Sequence, residues 1–306
     1  MDHVMGVLMA GLGWFFYWMP TRLRFWFSDA LGALLWQLGF RKEVVVRNLS
    51  LAYPKDPARQ KALVREGYRH LARLAVEIFF LFGPMPRFAR KSVRIEGEDN
   101  LRRALSEGHG GIFLSSHVGN WEVMAASSVQ ISGLRVLLVT KHLQPEWLHR
   151  LIERARALCN VSATYEPKTL RDVMRHLKSG QIVGFVLDQY AGPPVGMRVP
   201  VFGIPVGTTT AVAMLARRTG APVLPVVNYR CPDGTYRVEI RPALSWETSP
   251  TGDKTEELGI NTARYASVLE KDIYAHPDQW LWTHRRFKGD LSPLRPGEWR
   301  EGRPRH

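Results

Sequence analysis

His117 and Glu122 are candidates for acid–base catalysis, because they bring an imidazole and a carboxylate close together in the sequence. They lie five positions apart in the stretch Ser-Ser-His-Val-Gly-Asn-Trp-Glu, residues 115–122. On a continuous helix this spacing would splay the two side chains by about 140°, but the Gly119-Asn120 turn lets the chain fold the carboxylate back onto the imidazole. A carboxylate on one ring nitrogen fixes the tautomer and raises the basicity of the other nitrogen, which can then take a proton from a hydroxyl. The alternative is a surface histidine near a helix start, with Glu122 complementing the helix dipole.

The elements on either side of this stretch place it at the end of a strand. Residues 111–114 (Gly-Ile-Phe-Leu) form an apolar run typical of a buried strand. Asn120 is a suitable N-cap for a helix that continues through residues 123–126. In open α/β sheets, ligands bind in the crevice beyond the carboxyl ends of the strands. The sequence therefore predicts His117 at the mouth of a strand, where such a crevice would lie.

From residue 93 onward, apolar runs and helical patterns alternate, which is typical of an α/β fold. The predicted strands cover residues 93–96, 111–114, 134–140, 182–187, 223–229 and 236–241, and the predicted helices cover residues 57–82, 100–107, 145–158, 170–178, 208–219 and 256–274. We expect a central mixed, mostly parallel sheet flanked by helices, in a catalytic domain that spans residues 43–288.

Two apolar stretches occupy the N-terminus. Residues 4–19 contain no charge and end in an aromatic cluster, and residues 25–40 carry only Asp29 as a charge. The first stretch is shorter than the roughly 20 residues that span a bilayer, and it lacks the basic region and cleavage site of a secretory signal peptide. The aromatic residues and flanking arginines favour membrane attachment of residues 1–42, either as one short spanning anchor or as two helices in the interface. A buried soluble hairpin is the alternative.

The composition is strongly basic, with 42 Lys and Arg against 28 Asp and Glu, a formal charge of +14. This excess indicates an anionic partner, such as nucleic acid, an anionic membrane surface or a phosphorylated substrate. Ten tryptophans accompany the charge, which is typical of a membrane interface, and no nucleic-acid-binding module is recognisable. Cys159 and Cys231 suggest neither a disulfide framework nor a zinc site. Residues 289–306 form a basic tail rich in Pro and Gly, which we expect to be loosely ordered.

Several catalytic schemes lack their sequence motifs. The chain has no G-x-S-x-G, no H-E-x-x-H, no Walker A loop and no G-x-G-x-x-G. The sequence therefore does not predict a serine hydrolase of the α/β-hydrolase type, a metal site or a nucleotide cofactor. A histidine with a helper carboxylate but no protein nucleophile suggests direct activation of a substrate hydroxyl or of water.

Five motifs resemble, in order, those of the late acyltransferases of lipid A biosynthesis, a branch of the lysophospholipid acyltransferase superfamily. The first is the histidine-and-acid pair, His117 and Glu122; the acid is Glu, where the wider superfamily usually has Asp, and this fits the lipid A branch. The other matches are Arg47-Asn48-Leu49 with Ala52-Tyr53-Pro54, Leu187-Asp188-Gln189, Val199-Pro200-Val201-Phe202-Gly203 with Thr208-Thr209-Thr210, and residues 282–288 (Trp-Thr-His-Arg-Arg-Phe-Lys). Together they cover nearly the whole chain.

The resemblance implies an acyltransferase that moves a fatty acyl chain from acyl carrier protein to a hydroxyl of a lipid A precursor, at the cytoplasmic face of the inner membrane. By the family pattern His117 would be the general base, and Glu122 would orient and polarise it. The carrier-protein thioester is the acyl donor, so no cofactor is implied; the implied partners are acyl carrier protein, a glycolipid acceptor and an anionic membrane surface, without nucleic acid. Two alternatives stay open: another glycolipid acceptor, such as a phosphatidylinositol mannoside, or a thioesterase or lipid hydrolase.

The resemblance also gives candidate substrate-binding residues, which are Lys141, Arg154, Arg156, Asp188, Gln189 and Arg198. Arg154 and Arg156 resemble paired arginines, and we hypothesise that they bind phosphate on the acceptor or on the phosphopantetheine arm; a solvated helix face is the alternative. Lys141 stands where the family often has arginine, so a bidentate grip on phosphate is not expected there. Asp188 and Gln189 follow a buried strand and are expected in the same crevice, for catalytic support or for structural hydrogen bonding.

Overall fold

A computed structural model describes residues 2–294, with side chains from Val4 onward. The helices are α1 (Asp2–Trp18), α2 (Thr21–Gln37), α3 (Lys42–Ala52), α4 (Pro57–Glu77), α5 (Met85–Ser92), α6 (Glu98–Ser106), α7 (Trp121–Ala126), α8 (Glu146–Ala157), α9 (Thr169–Lys178), α10 (Ala211–Thr219) and α11 (Lys254–Ala275). The strands are β1 (Val93–Glu96), β2 (Gly111–Ser115), β3 (Val136–Val139), β4 (Val161–Thr164), β5 (Ile182–Val186), β6 (Gly196–Val201), β7 (Ile204–Thr209), β8 (Val223–Arg230) and β9 (Tyr236–Ile240). Short 3-10 helices follow at Ile78–Phe82, Ser127–Gln130 and Pro277–Gln279.

Within the described residues, seven strands form one sheet in the order β1-β9-β8-β2-β5-β3-β4. Only β8 and β9 pair antiparallel; the other neighbours are parallel. This confirms the predicted mixed, mostly parallel sheet flanked by helices. Strand β2 lies in the middle, with Ile112 and Leu114 completely buried, as expected for a strand covered on both faces.

Helices cover both faces of this sheet. On one face, the side chains of Ile112 and Leu114 join a core formed with α9, α10 and α11. On the other face, Phe113 packs into a core formed with α5, α6 and α7. A third core gathers α3, α4 and the β6–β7 hairpin around Trp280 and Trp282. The third core brings residues 280–282 next to the carboxyl end of β2.

Two predicted helices differ from the structure. The helix predicted over residues 208–219 begins only at Ala211, because Thr208 and Thr209 belong to β7 and pair with β6. β-branched residues suit a strand better than a helix, and Phe202 and Gly203 form the two-residue turn of this hairpin with positive φ angles of 52° and 73°. The helix predicted over residues 57–82 is α-helical only to Glu77 and then continues as the 3-10 helix.

The two N-terminal apolar stretches form α1 and α2. None of the helices in residues 2–294 is long and apolar enough by itself to cross a membrane; α1 and α2 meet that criterion only as a pair bent by 118°. Helix α2 packs along α4, where a Cβ on Gly32 would lie 2.7 Å from the carbonyl oxygen of Tyr68. The loosely ordered tail predicted at 289–306 falls mostly on residues 295–306, which lie outside the described residues.

Candidate active site

The sheet register brings His117 and Asp188 together. Strands β2 and β5 are parallel neighbours, with Ser115 opposite Val186. His117 and Asp188 each follow two residues later, so both leave the same carboxyl edge of the sheet side by side. The backbone amide of Leu187 extends the pairing by donating to the carbonyl of Ser115 at 2.9 Å. The crevice predicted from the sequence therefore lies at this edge.

Asp188 holds the imidazole of His117. Its Oδ1 lies 2.7 Å from Nδ1 of His117, and its Oδ2 accepts hydrogen bonds from the His117 backbone N–H at 2.8 Å and from the Trp280 indole N–H at 2.6 Å. Burial by itself would raise the pKa of Asp188, but the positive charge of the His117 imidazolium and the hydrogen bonds from His117 and Trp280 outweigh burial and lower this pKa. A carboxylate can only accept hydrogen bonds, so Nδ1 of His117 carries a hydrogen, and in the neutral ring Nε2 keeps its lone pair.

The Nε2 side of His117 faces a small polar and aromatic group. Nε2 of the Gln189 side-chain amide lies 3.2 Å from Nε2 of His117 and can donate to it. The indole of Trp121 meets the imidazole edge to face, with ring centroids 4.9 Å apart, and the His284 ring stacks at 6.4 Å. Burial, together with the positive charges of His117, Arg286 and Arg41, lowers the pKa of His284 to about 4 although Asp188 opposes this. His284 is therefore neutral near pH 7.

Glu122 binds Arg156 and not His117, the partner predicted from the sequence. Both carboxylate oxygens of Glu122 bind Arg156, at 3.1 Å from Nε and 2.5 Å from Nη2. Both side chains are buried, and Arg156 also binds Glu153 at 3.0 Å. Burial would lower the pKa of Arg156, but the hydrogen bonds and charge of Glu122 raise it. Glu122 lies in the first turn of α7, as predicted, but that turn directs it to α8, and Asp188 takes the position on the imidazole.

The turn between His117 and α7 depends on Gly119. Its φ is +67°, and a Cβ there would lie 1.9 Å from Oδ1 of Asn228. The side-chain amide of Asn228 binds the backbone of Asn120. Its oxygen accepts from the Asn120 N–H and its NH₂ group donates to the Asn120 carbonyl, each at 2.8 Å. Oδ1 of Asn120 caps α7 by accepting from the N–H groups of Glu122 and Val123. This confirms the predicted N-cap.

A buried polar network around Glu77 holds the same turn through Asn120. Glu77, at the end of α4, accepts a hydrogen bond from Nδ2 of Asn120 at 3.2 Å and binds Arg230 through two hydrogen bonds of 2.7 Å. The Tyr236 hydroxyl donates to Glu77 at 2.6 Å, and Arg230 also lies 3.2 Å from Nδ1 of His70. Burial and then the charge of Arg230 lower the pKa of His70 well below its ordinary value. Nothing in the sequence pattern marked these residues, because they are far apart in the chain and match no motif.

The end of the described chain closes the site on one side. Val118 pairs with Trp280 as an antiparallel bridge, and the N–H of Leu281 donates to the carbonyl of His117 at 3.2 Å. The guanidinium of Arg286 donates to the carbonyl of Gln189 at 2.7 Å and also binds the β7 strand. These contacts fix the loops that carry His117 and Asp188.

An open cleft of about 360 Å³ lies beside this group. Trp121, Glu122 and His284 line it from the site, and Phe40, Arg41 and Leu74 line it from the N-terminal helices. A second cavity, behind α7, is apolar but holds only about 30 Å³, which is room for about one water molecule. The open cleft is the larger of these two spaces, and the Trp121 ring that lines it also contacts the His117 ring.

Of the remaining predicted residues, Gln189 lies in the site, whereas Lys141, Arg154 and Arg198 lie around it. Gln189 lies at Nε2 of His117, and Lys141 follows β3 at the same sheet edge with its side chain exposed. Arg154 is exposed on α8. Arg198 binds Asp290 at 3.3 Å. Within residues 2–294, no three His, Cys, Asp or Glu side chains converge as they would to hold a metal ion.

This geometry defines an α/β protein with a histidine–carboxylate pair at the carboxyl edge of its sheet, beside an open cleft. The chain belongs to the bacterial lipid A biosynthesis acyltransferases, whose family model matches residues 2–289, and it is an acyltransferase. It is 29% identical over 286 residues to the lipid A biosynthesis palmitoleoyltransferase of Escherichia coli K12, covering 91% of this chain and 90% of the relative. It is 30% identical to the lauroyltransferase of the same organism, covering 92% and 90%. A phosphatidylinositol mannoside acyltransferase of Mycobacterium tuberculosis is 27% identical over 67% of this chain and 63% of the relative.

Proposed function

We propose that this enzyme transfers a fatty acyl group from acyl carrier protein to a hydroxyl of a lipid A-type glycolipid, attached to the cytoplasmic face of the inner membrane and without a cofactor. The observation that carries the proposal is the 2.7 Å contact between Nδ1 of His117 and Asp188, in a chain that belongs to the lipid A acyltransferase family. In the proposed step, Nε2 of His117 takes the proton of the acceptor hydroxyl while the hydroxyl oxygen attacks the thioester carbonyl. The C–S bond then breaks, and the proton passes from His117 to the departing thiolate.

Asp188, rather than Glu122, is the proposed partner of the base. As a buried carboxylate on Nδ1 it keeps the lone pair on Nε2 and stabilises the imidazolium that forms in the step. Glu122 is assigned a positioning role, since its pair with Arg156 ties the first turn of α7 to α8. Loss of Glu122 would leave the Arg156 charge buried beside Glu153 alone, which costs about 3–5 kcal/mol for a typical buried pair.

Gln189 is the proposed donor to the reaction intermediate. Its amide now lies 3.2 Å from Nε2 of His117, and the acceptor hydroxyl would displace it from that nitrogen. The released N–H group would then lie beside the carbonyl under attack, where a donor to the developing oxyanion is needed.

The phosphate-binding role hypothesised for Arg154 and Arg156 is retained for Arg154 and withdrawn for Arg156. The Arg156 guanidinium is buried and already bound by Glu122 and Glu153, whereas Arg154 and Lys141 are exposed. Charge reversal in Arg154→Glu should lower turnover if Arg154 binds phosphate. Unchanged turnover would remove Arg154 from the site.

The test is a transfer assay on detergent-solubilised protein with labelled acyl carrier protein thioesters of several chain lengths and a Kdo-bearing lipid A precursor. We expect label in the lipid product from the wild type and none from His117→Ala. The matched control is His109→Ala, because His109 is an exposed histidine that precedes β2 while His117 follows the same strand.

Label recovered only as free fatty acid would replace the proposal with a hydrolase. Label retained on the carrier protein would direct the search to another glycolipid acceptor, such as the phosphatidylinositol mannoside in the name of the mycobacterial relative. Full transfer by His117→Ala would refute the mechanism.

A further inference from the structure

Helix α2 buries polar residues and exposes apolar ones, the reverse of a helix on the surface of a water-soluble protein. The side turned to the protein carries Arg24, Ser28 and Gly32, which are buried. The side turned outward carries large apolar side chains with 41–73% of their surface exposed: Leu23, Trp26, Phe27, Leu34 and the C-cap residue Leu38. An ordinary surface helix buries its apolar stripe and exposes its polar one.

Two polar side chains of α2, Arg24 and Asp29, bind neighbouring helices and hold α2 in this orientation. Arg24 donates to the carbonyl of Phe16 on α1 at 3.1 Å, while the Ser28 hydroxyl is satisfied within α2 by the Arg24 carbonyl at 2.8 Å. Asp29 pairs with Arg73 of α4 at 2.8 Å. The outward direction of the apolar side is therefore fixed by hydrogen bonds and an ion pair.

Helix α1 extends the same kind of surface. Leu8, Phe15 and Trp18 of α1 are 55%, 60% and 65% exposed. We call these residues, with the five outward residues of α2, the outer apolar face. Contiguous apolar surface of this kind marks a binding site for a protein or a membrane.

Cations and aromatic rings border the outer apolar face at both ends. Near the α1–α2 junction, Arg87 lies 5.4 Å from the ring centroid of Trp18, and Arg22 is exposed. At the far end of α2, the Lys42 amine lies 4.3 Å from the ring centroid of Trp36. Tryptophan with Lys and Arg around an apolar surface complements an anionic lipid headgroup region.

We propose that α1 and α2 lie in the plane of an anionic bilayer interface, with the outer apolar face below the headgroups. Each helix has 17 residues, or about 25 Å at 1.5 Å per residue, against a hydrocarbon core of about 30 Å. Both helices also pack closely against the rest of the protein through a glycine. A Cβ on Gly13 of α1 would lie 2.4 Å from the Phe79 carbonyl oxygen, and a Cβ on Gly32 of α2 would lie 2.7 Å from the Tyr68 carbonyl oxygen. A spanning helix would have to leave these contacts.

This placement puts the mouth of the site cleft at the lipid surface. Phe40 and Arg41 follow α2 directly and line the cleft together with Trp121 and His284. Phe40 is 46% exposed, so the cleft opens where α2 ends. An amphiphilic acceptor could thus slide its headgroup toward His117 while its acyl chains stay in the bilayer. Only this last step rests on the proposed function.

The test measures binding of the full chain to vesicles, with and without anionic phospholipid, by flotation. We expect each of Leu23→Ser, Trp26→Ser and Phe27→Ser to lower the partition constant by about tenfold. Leu170→Ser and Met214→Ser are matched controls, because these side chains are 55% and 48% exposed on α9 and α10, and they should leave binding unchanged. Binding by the wild type should persist in 1 M salt, where the Debye length is only about 3 Å.

Depth is measured with a fluorophore on Leu8→Cys or Leu34→Cys, in a Cys231→Ser background, and nitroxide lipids as quenchers. Both positions should lie about 5–10 Å below the headgroup boundary; a label at the bilayer centre would overturn the in-plane arrangement. Serine variants that bind like the wild type, or that convert a dimer to a monomer in light scattering, would overturn the lipid assignment. Binding is read without any transfer, so an inactive protein that still inserts would defeat the proposed function alone.

Discussion

Replacing Asp188 with asparagine should reverse the tautomer of His117. One carboxylate oxygen of Asp188 accepts two hydrogen bonds, from the His117 backbone N–H at 2.8 Å and from the Trp280 indole at 2.6 Å. In Asp188→Asn the amide oxygen must occupy the position that faces these two N–H groups, because the amide NH₂ group cannot accept a hydrogen bond from them. The NH₂ group is then turned to Nδ1 of His117, which must accept, so Nε2 carries the hydrogen and loses its lone pair.

The expected effect on turnover is large and the effect on folding is small. In a catalytic triad, the same change lowers kcat by about 10⁴-fold through the wrong tautomer, which corresponds to about 5.4 kcal/mol at 1.36 kcal/mol per tenfold. We expect kcat for acyl transfer to fall by about 10³–10⁴-fold in Asp188→Asn. The melting temperature should change little, because the side chain keeps its shape and all three hydrogen bonds, with the one to Nδ1 reversed in direction.

The comparison variant is Glu122→Gln, assayed with the same thioester and acceptor. If Asp188 is the partner of His117, Glu122→Gln should act mainly by loosening Arg156, and so lower the melting temperature more than Asp188→Asn does. An Asp188→Asn enzyme within about tenfold of wild-type kcat would refute the tautomer argument. A larger kcat loss in a fully folded Glu122→Gln variant would restore Glu122 as the partner of the base.

Three further outcomes are expected. Gly119→Ala should destabilise the protein and abolish transfer, because its Cβ would lie 1.9 Å from Asn228; Gly108→Ala, also at positive φ but with no atom within 4 Å, should lower stability only by about 1–2 kcal/mol in denaturant titrations. Gln189→Ala should lower kcat by about 10²–10³-fold with a normal circular dichroism spectrum, if its amide binds the oxyanion, and an unchanged kcat would remove it from the mechanism. The pKa of His70 is depressed in the folded state, so below about pH 6.5 the unfolded chain binds a proton at His70 that the folded chain does not bind. The free energy of unfolding should therefore fall as the pH drops below about 6.5. His70→Gln should flatten this pH dependence in melting curves, and an equal slope in both proteins would contradict the argument.

Six of the seven sheet strands were predictable because they are locally encoded, whereas β4 (Val161–Thr164) was not predicted. The apolar runs of β2, β5 and β8 are bounded by Gly and polar residues and were predicted within a few residues of their observed limits. Alternation with helices then implies parallel pairing. By contrast, Thr208 and Thr209 suit both a strand and a helix start, and only the pairing with β6 decides between them.

The partner of His117 could not be obtained from local spacing. Five residues separate His117 from Glu122, and a turn between them makes a contact sterically possible. Asp188 lies 71 positions away, and its approach depends on β2 and β5 being neighbours in register, which a single sequence does not show. Asp188 and Gln189 lie beside His117, as the sequence predicted for residues that follow neighbouring buried strands, while their roles stay a prediction. Glu77 and Arg230 carried no signal, since a buried ion pair between distant elements has no motif.

The pairing of Val118 with Trp280 and of His117 with Leu281 also bears on biosynthesis. Synthesis runs from the N-terminus, so α1, α2 and the strand that precedes His117 leave the ribosome long before Trp280, Leu281 and Arg286. The N-terminal helices could reach a lipid surface while Asp188 still lacks the Trp280 indole and the Gln189 loop still lacks Arg286. A nascent chain already held at the membrane would therefore carry an unfinished site, and only translation of its last segment would complete it.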